Sequence, residues 1–164
     1  MHPWAGWDHW LAMFTVGWWA YRMGGRARLW LPGCFLAGMM LGCFAGNQQL
    51  IGVFSSAFWE GLVALTILLL GGLLWLDRPI SFRTASLLAL AAGFTHGHVH
   101  GVEAIGLYGV EFTCGVLAAT AALHGLGLVV GYCLGQRRSA AQLARCYGMS
   151  VGLTGVFFLL LAMW

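Results

Sequence analysis

Six histidines and five acidic residues hold most of the chemistry this chain can do. All six histidines (His2, His9, His96, His98, His100, His124) and four of the acids (Asp8, Glu60, Glu103, Glu111) fall inside or at the edge of long apolar runs. An ionisable group in such a run costs several kcal/mol unless it has a partner, so each is a functional candidate. His2 and His9 are seven residues apart, two helical turns, and stack on one face. Asp8 is displaced by about 100° of rotation and can reach a neighbouring helix or orient His9 as a hydrogen-bond acceptor. Met13, one turn below His9, could offer a thioether, although a packed methionine is the commoner case. Further on, His96, His100 and Glu103 are spaced i, i+4, i+7 within a narrow arc. At that spacing two imidazoles and a carboxylate on one helix can share a metal. Gly97 and Gly101 flank the two histidines and would let another helix come close, whereas His98 points nearly the opposite way.

A lone buried histidine is usually a hydrogen-bonded structural residue, and His98 and His124 taken singly keep that reading. His2, Asp8, His9, His96, His100 and Glu103 together do not, because apolar helices do not accumulate such groups for packing. Imidazole suits zinc, copper, iron, cobalt and nickel, and the missing thiolate set disfavours copper(I) or a zinc–thiolate site. The five cysteines form no CxxC pair; they read as packed thiols, with Cys114, near Glu111, the exception. Chemistry alone therefore gives a divalent first-row metal and goes no further. No GxxxxGK[ST] loop is present, so ATP hydrolysis by that route is excluded.

The elements that must hold these groups follow from composition. Of the 164 residues, 60% are hydrophobic and 8% charged, against about 25% charged in a soluble domain. Lipid is the natural solvent. Six continuous apolar segments run from Pro3 to Tyr21, Leu29 to Gly46, Leu50 to Leu76, Thr84 to Val102, Ile105 to Gly135 and Cys146 to Trp164. Continuous runs, with backbone groups that must pair internally, predict helices. The third and fifth are longer than a bilayer needs and should be tilted or open with an interfacial turn. The expected fold is an all-α integral membrane protein, a bundle of about six transmembrane helices in a single domain over residues 1–164.

Arginine sets the orientation. All eight arginines lie between spans one and two (Arg22, Arg26, Arg28), three and four (Arg78, Arg83), or five and six (Arg137, Arg138, Arg145), and there is no lysine. Arginine-rich loops stay cytoplasmic, so both termini should face the outer, periplasmic side. His9 and His96 then lie at similar depth, roughly 10 Å in, with Glu103 near the surface. Glu60, about 15 Å into the third span, would sit just below them and His124 deeper still, a column of ligands suited to a cation path. Asp77, beside Arg78, reads as a solvated loop residue. The recurring glycines, among them Gly38, Gly42 and Gly46, Gly93, Gly97 and Gly101, and Gly127, Gly131 and Gly135, let helix backbones approach closely.

The segment His2-Pro3-Trp4-Ala5-Gly6-Trp7-Asp8-His9 resembles the HPxxGxDH signature of the HupE/UreJ family. The run His96-Gly97-His98-Val99-His100-Gly101-Val102-Glu103 is similar to its second signature, HGxxHGxE. Glu60 falls where the family tends to carry a glutamate, and His124 resembles a later histidine. His98 and Glu111 are departures from the pattern. The resemblance implies uptake of nickel, with cobalt second, for a nickel enzyme such as hydrogenase or urease. The implied protein is a multi-pass permease of the bacterial cytoplasmic membrane and not an enzyme. Its partners would be the transported ion and the lipid bilayer, with no organic cofactor and no nucleic acid, and a homo-oligomer remains open. Metal would be held by His2, Asp8, His9, His96, His100 and Glu103, with Glu60, His98 and His124 along the path or orienting the ligands. Two rivals stand beside this: a membrane metalloenzyme with His/Asp-bound zinc, and a metal sensor that does not transport.

Overall fold

The computed structural model describes residues 6–52, 54–105 and 109–163, with the Asp8 side chain outside that description. The described residues form six α-helices: α1 (Trp7–Met23), α2 (Ala27–Asn47), α3 (Ser56–Leu76), α4 (Phe82–Glu103), α5 (Gly109–Gly135) and α6 (Ala140–Ala162). Four of them, α2, α3, α5 and α6, are long and apolar enough to cross a membrane. The remaining two carry the imidazole clusters. Over its described length α1 is 17 residues, and the apolar run of α4 is broken by His96, His98 and His100.

Boundaries differ from the hydropathy runs where local chemistry overrides them. α3 begins at Ser56, after turns in which Gln49 has a left-handed φ of 52°. Ser55 caps it by accepting from the Phe58 N–H at 3.3 Å, as Ser81 caps α4 through Thr84 at 3.1 Å. The third span thus opens with a turn, one of the two alternatives its length suggested. α6 starts earlier than expected, at Ala140, because its first turns are polar but still good helix formers.

The helices associate chiefly as three pairs, α2 with α4, α3 with α6 and α1 with α5. The first pair is parallel and backbone to backbone. A Cβ on Gly38, Gly42 or Gly46 would meet the carbonyls of Leu90, Phe94 and His98 in turn. In return Gly93, Gly97 and Gly101 of α4 face the carbonyls of Phe35, Met39 and Cys43. The two ladders interlock. On α1, Gly17 abuts the His124 carbonyl, while Gly127 of α5 abuts Phe14. α3 and α6 run antiparallel through Gly71, Gly148, Gly152 and Gly155.

One end of the bundle gathers the arginines. Gly24 and Gly25, at φ +74° and +52°, make the tight reversal from α1 to α2. Asp77 ends α3 in a left-handed conformation, and its carboxylate accepts from Arg22 of α1 at 2.5 Å. It is therefore tied into the bundle, and the solvated reading is corrected: the partner comes from a distant helix. Arg26 lies over the Phe82 ring at 4.0 Å and Arg28 over Tyr21 at 4.8 Å. Both described ends of the chain lie at the opposite end. The packed-thiol reading also needs correction. Cys43 is buried, but Cys133 and Cys146 are exposed, as is Cys114, the one set apart from that reading, because apolar context does not say which face a residue takes.

Gly42→Ala places a Cβ about 2.1 Å from the Phe94 carbonyl oxygen, so α2 and α4 must part. We expect a lower thermal midpoint in detergent, whereas Gly33→Ala, which meets nothing within 4 Å, should be neutral or stabilising by about 0.5–1 kcal/mol. Equal midpoints for the two variants would show that the ladder contact is dispensable.

Candidate metal centre

α1 and α4 scarcely approach through their backbones, yet their side chains interleave. The His9 ring lies 4.7 Å from that of His96 and 4.6 Å from that of His100, centroid to centroid. Two imidazole sets far apart in sequence thus meet. His9 and His96 are buried, His96 completely, and His100 lies nearer the end of α4.

The proton on His96 can be assigned from its neighbours. The Thr66 hydroxyl on α3 donates to the Val63 carbonyl at 2.7 Å, which spends its single proton. At 2.9 Å from His96 Nε2 it must then accept, fixing the Nε2–H tautomer. Nδ1 is left with its lone pair, buried and without a hydrogen-bond partner among the described residues. That is the state a metal ligand needs, with the second ring nitrogen held by an outer group. His100 has a similar arrangement through its other nitrogen: Nδ1 lies 3.3 Å from Glu103 Oε2. If that nitrogen carries the proton, Nε2 is open. Glu103, half-exposed at 49%, therefore acts on His100 directly, whether or not it also touches a cation.

The other sequence candidates separate in space. His98, on the far side of α4, stacks on Trp59 at 3.6 Å between ring centroids. It borders a cavity of about 340 Å³ that also touches Gln49, Phe54 and Ser56, away from the imidazole cluster. Glu60, half-buried, sits in the second turn of α3 beside Trp59. Because α3 starts at Ser56, Glu60 lies only about 6 Å along the helix at its 1.5 Å rise, towards the Glu103 end and not below the imidazoles. His124 lies further towards the arginines, its ring 5.0 Å from Phe35, which in turn is 5.7 Å from His96. It is buried with no hydrogen bond to either nitrogen among the described residues, so the hydrogen-bonded structural reading does not describe it. His2 and the Asp8 side chain lie outside the described residues. Among the described residues, no three His, Cys, Asp or Glu side chains are disposed to hold a metal ion together. The chemistry of the cluster as it stands is two close imidazole pairs sharing His9.

Sequence reasoning missed Thr66. A single threonine in the run Leu62–Leu70 breaks no periodicity, and its partner is thirty residues away; only an unexplained polar residue in an apolar segment could have marked it.

The described residues thus make an all-helical bundle with imidazoles from distant segments buried between its helices. The family model described as HupE / UreJ protein matches residues 1–158. Protein HupE of Rhizobium leguminosarum bv. viciae is 33% identical over 159 residues, covering 96% of this chain and 81% of that protein. The chain belongs to the HupE/UreJ family. No solved structure matches it.

Replacing Thr66 by valine removes the acceptor while keeping the shape, and should weaken divalent-metal affinity about 10- to 100-fold. Serine should restore most of it. The check is calorimetric titration of both variants with nickel, and equal affinities would rule out the assigned hydrogen bond.

Proposed function

We propose that this chain is a multi-pass permease of the bacterial inner membrane, a single domain over residues 1–164 with both termini outward. Its cargo is a divalent transition metal, nickel first and cobalt second. The observation that carries the reading is the convergence of His9 with His96 and His100, three imidazoles from two distant segments meeting inside an apolar bundle. Several further features support it. The outside of the bundle is studded with exposed Leu, Phe, Trp and Val, among them Leu29, Phe44, Trp75, Val110, Val129, Leu153 and Phe157, as lipid contact requires. Every arginine lies at one end of the bundle or in its loops, which by the positive-inside rule is the cytoplasmic end. Membership of a family associated with nickel and cobalt uptake beside hydrogenase and urease supplies the choice of metal, which imidazole chemistry alone does not.

In outline, the aquo-ion arrives at the Glu103 end, where Glu60 and Glu103 supply negative charge. It exchanges water for the imidazoles of His9, His96 and His100. His2 and Asp8 complete the set, since the described rings alone make pairs and no triad. The ion then passes inward by Phe35 towards His124. The membrane potential, worth about 2.3 kcal/mol per charge per 100 mV, and trapping by a metalloenzyme suffice to draw it in.

The decisive experiment is metal influx into proteoliposomes carrying a metal-sensitive dye. We expect influx of nickel and cobalt over manganese, reduced at least tenfold in both His9→Ala and His100→Ala. Tight binding without influx would turn the reading towards a sensor. Because imidazole must be neutral to bind metal, protons compete, and influx should fall as the outer pH drops from about 7 to 5. A steady rise over that range would contradict imidazole ligation.

A further inference from the structure

One turn inward of His9 and level with His96, whose neighbour Gly97 lies against Met39, are two buried thioethers that this route leaves unused. Met13 of α1 and Met39 of α2 both point at Thr120 of α5, with its hydroxyl oxygen 3.2 Å from one sulfur and 3.3 Å from the other. All three residues are buried. A hydroxyl has one proton, so it can satisfy one thioether at a time and the other keeps both lone pairs unspent. His124 lies one turn along α5 from Thr120 and therefore on the same face. Phe35, one turn along α2 from Met39, packs its ring at right angles to the His124 imidazole. Gly17, one turn along α1 from Met13, lies against the His124 backbone. Three helices thus bring two sulfurs and an imidazole into adjacent layers.

The second, independent observation is His124 itself. Its side chain is 2% exposed and neither ring nitrogen has a hydrogen-bond partner among the described residues. A buried polar group left in that state costs about 1–3 kcal/mol, and packing alone offers no return for it. A chain needing only an apolar filler could use leucine or phenylalanine there.

We propose that Met13, Met39 and His124 form a second, inner cation site, of thioether and imidazole donors, that takes borderline or soft transition metals and rejects hard ones. Thioether and imidazole ligands suit nickel, cobalt, copper and cadmium, whereas magnesium, calcium and manganese prefer oxygen. The Thr120 hydroxyl holds the sulfurs in place and turns away as the ion arrives. The outer imidazoles bind a metal and strip its water; the inner layer then passes only an ion that accepts sulfur. This role as a filter rests on the permease reading, but the site itself can be tested without transport.

The probe is Cd²⁺, added to the full chain in detergent micelles after labelling with selenomethionine. The ⁷⁷Se resonances of positions 13 and 39, assigned through Met13→Leu and Met39→Leu, should shift on adding Cd²⁺ and stay in place with Mn²⁺. Equilibrium dialysis of the double variant His9→Ala/His100→Ala should still show bound Cd²⁺. Adding Met13→Leu/Met39→Leu, which conserves volume, should weaken that binding tenfold or more, and His124→Leu likewise. Unmoved selenium resonances, or Cd²⁺ binding indifferent to the leucine pair, would overturn the inner site. Absence of nickel influx in the unaltered chain, with the selenium shift present, would instead remove the permease reading and leave the site standing.

Discussion

The interlocked glycines of α2 and α4 fix the rotation of the helix that carries most of the chemistry. Once Gly93, Gly97 and Gly101 are pressed against the carbonyls of Phe35, Met39 and Cys43, α4 cannot turn about its axis without driving a Cα into backbone. His96 and His100 each immediately precede one of these glycines, so they lie about 100° to one side of the contact, facing α1. His98 immediately follows Gly97 and lies about 100° to the other side, against Trp59 of α3. The sorting of three histidines, two to the centre and one away, is thus a consequence of where three glycines stand. The same logic holds on α1, where Gly17, Met13 and His9 follow one another at single-turn intervals. Seating Gly17 on the His124 backbone aligns Met13 with Thr120 and His9 with the α4 rings.

Such an arrangement is costly. His96 Nδ1 and both nitrogens of His124 are buried without hydrogen bonds among the described residues, and each such group costs about 1–3 kcal/mol. Against a total stability of about 5–15 kcal/mol for a domain, that is a considerable fraction. Natural bundles shed such costs when nothing is gained, since leucine at these positions would pack as well. Here the glycine contacts, which bring long stretches of backbone within van der Waals range, supply the rigidity that lets unsatisfied ring nitrogens persist at defined positions. The Arg22–Asp77 pair and the guanidinium–ring contacts of Arg26 and Arg28 close the far end.

Much of this was legible in the sequence, and the rest was hidden for identifiable reasons. The helices could be read because most of the apolar runs are long and continuous, and the family could be read because its two signatures occupy consecutive positions. The i, i+4 spacing of His96 and His100 gave their shared face, and their neighbouring glycines gave the close approach of another helix, although not which helix. Hydropathy could not place the start of α3, because the turn at Gln49 and the cap at Ser55 depend on backbone angles, and so the depth of Glu60 came out too great. In sequence Asp77 stands beside Arg78, while its partner in the fold is fifty-five residues away on α1. Thr66 and the pairing of Met13 with Met39 were invisible for the same reason. A single polar or thioether side chain has no period, and its meaning lies in which helix it faces.

The charge pattern sets a problem that the packing at the arginine end answers. On the proposed route a cation moving inward approaches the end that holds all eight arginines, and unscreened charges there would oppose it. The three whose partners are described are each engaged in a way that lessens this. Arg22 is neutralised by Asp77 at 2.5 Å, and Arg26 and Arg28 have their guanidinium groups laid over Phe82 and Tyr21, where the ring faces offset part of the charge. Asp77 can do this because α3 ends there in a left-handed turn that aims its carboxylate back at α1. The cavity of about 280 Å³ bounded by Trp19, Arg22, Asp77 and Arg78 lies directly beside this pair. The ion pair that anchors α1 to α3 therefore also forms part of the wall of this cavity.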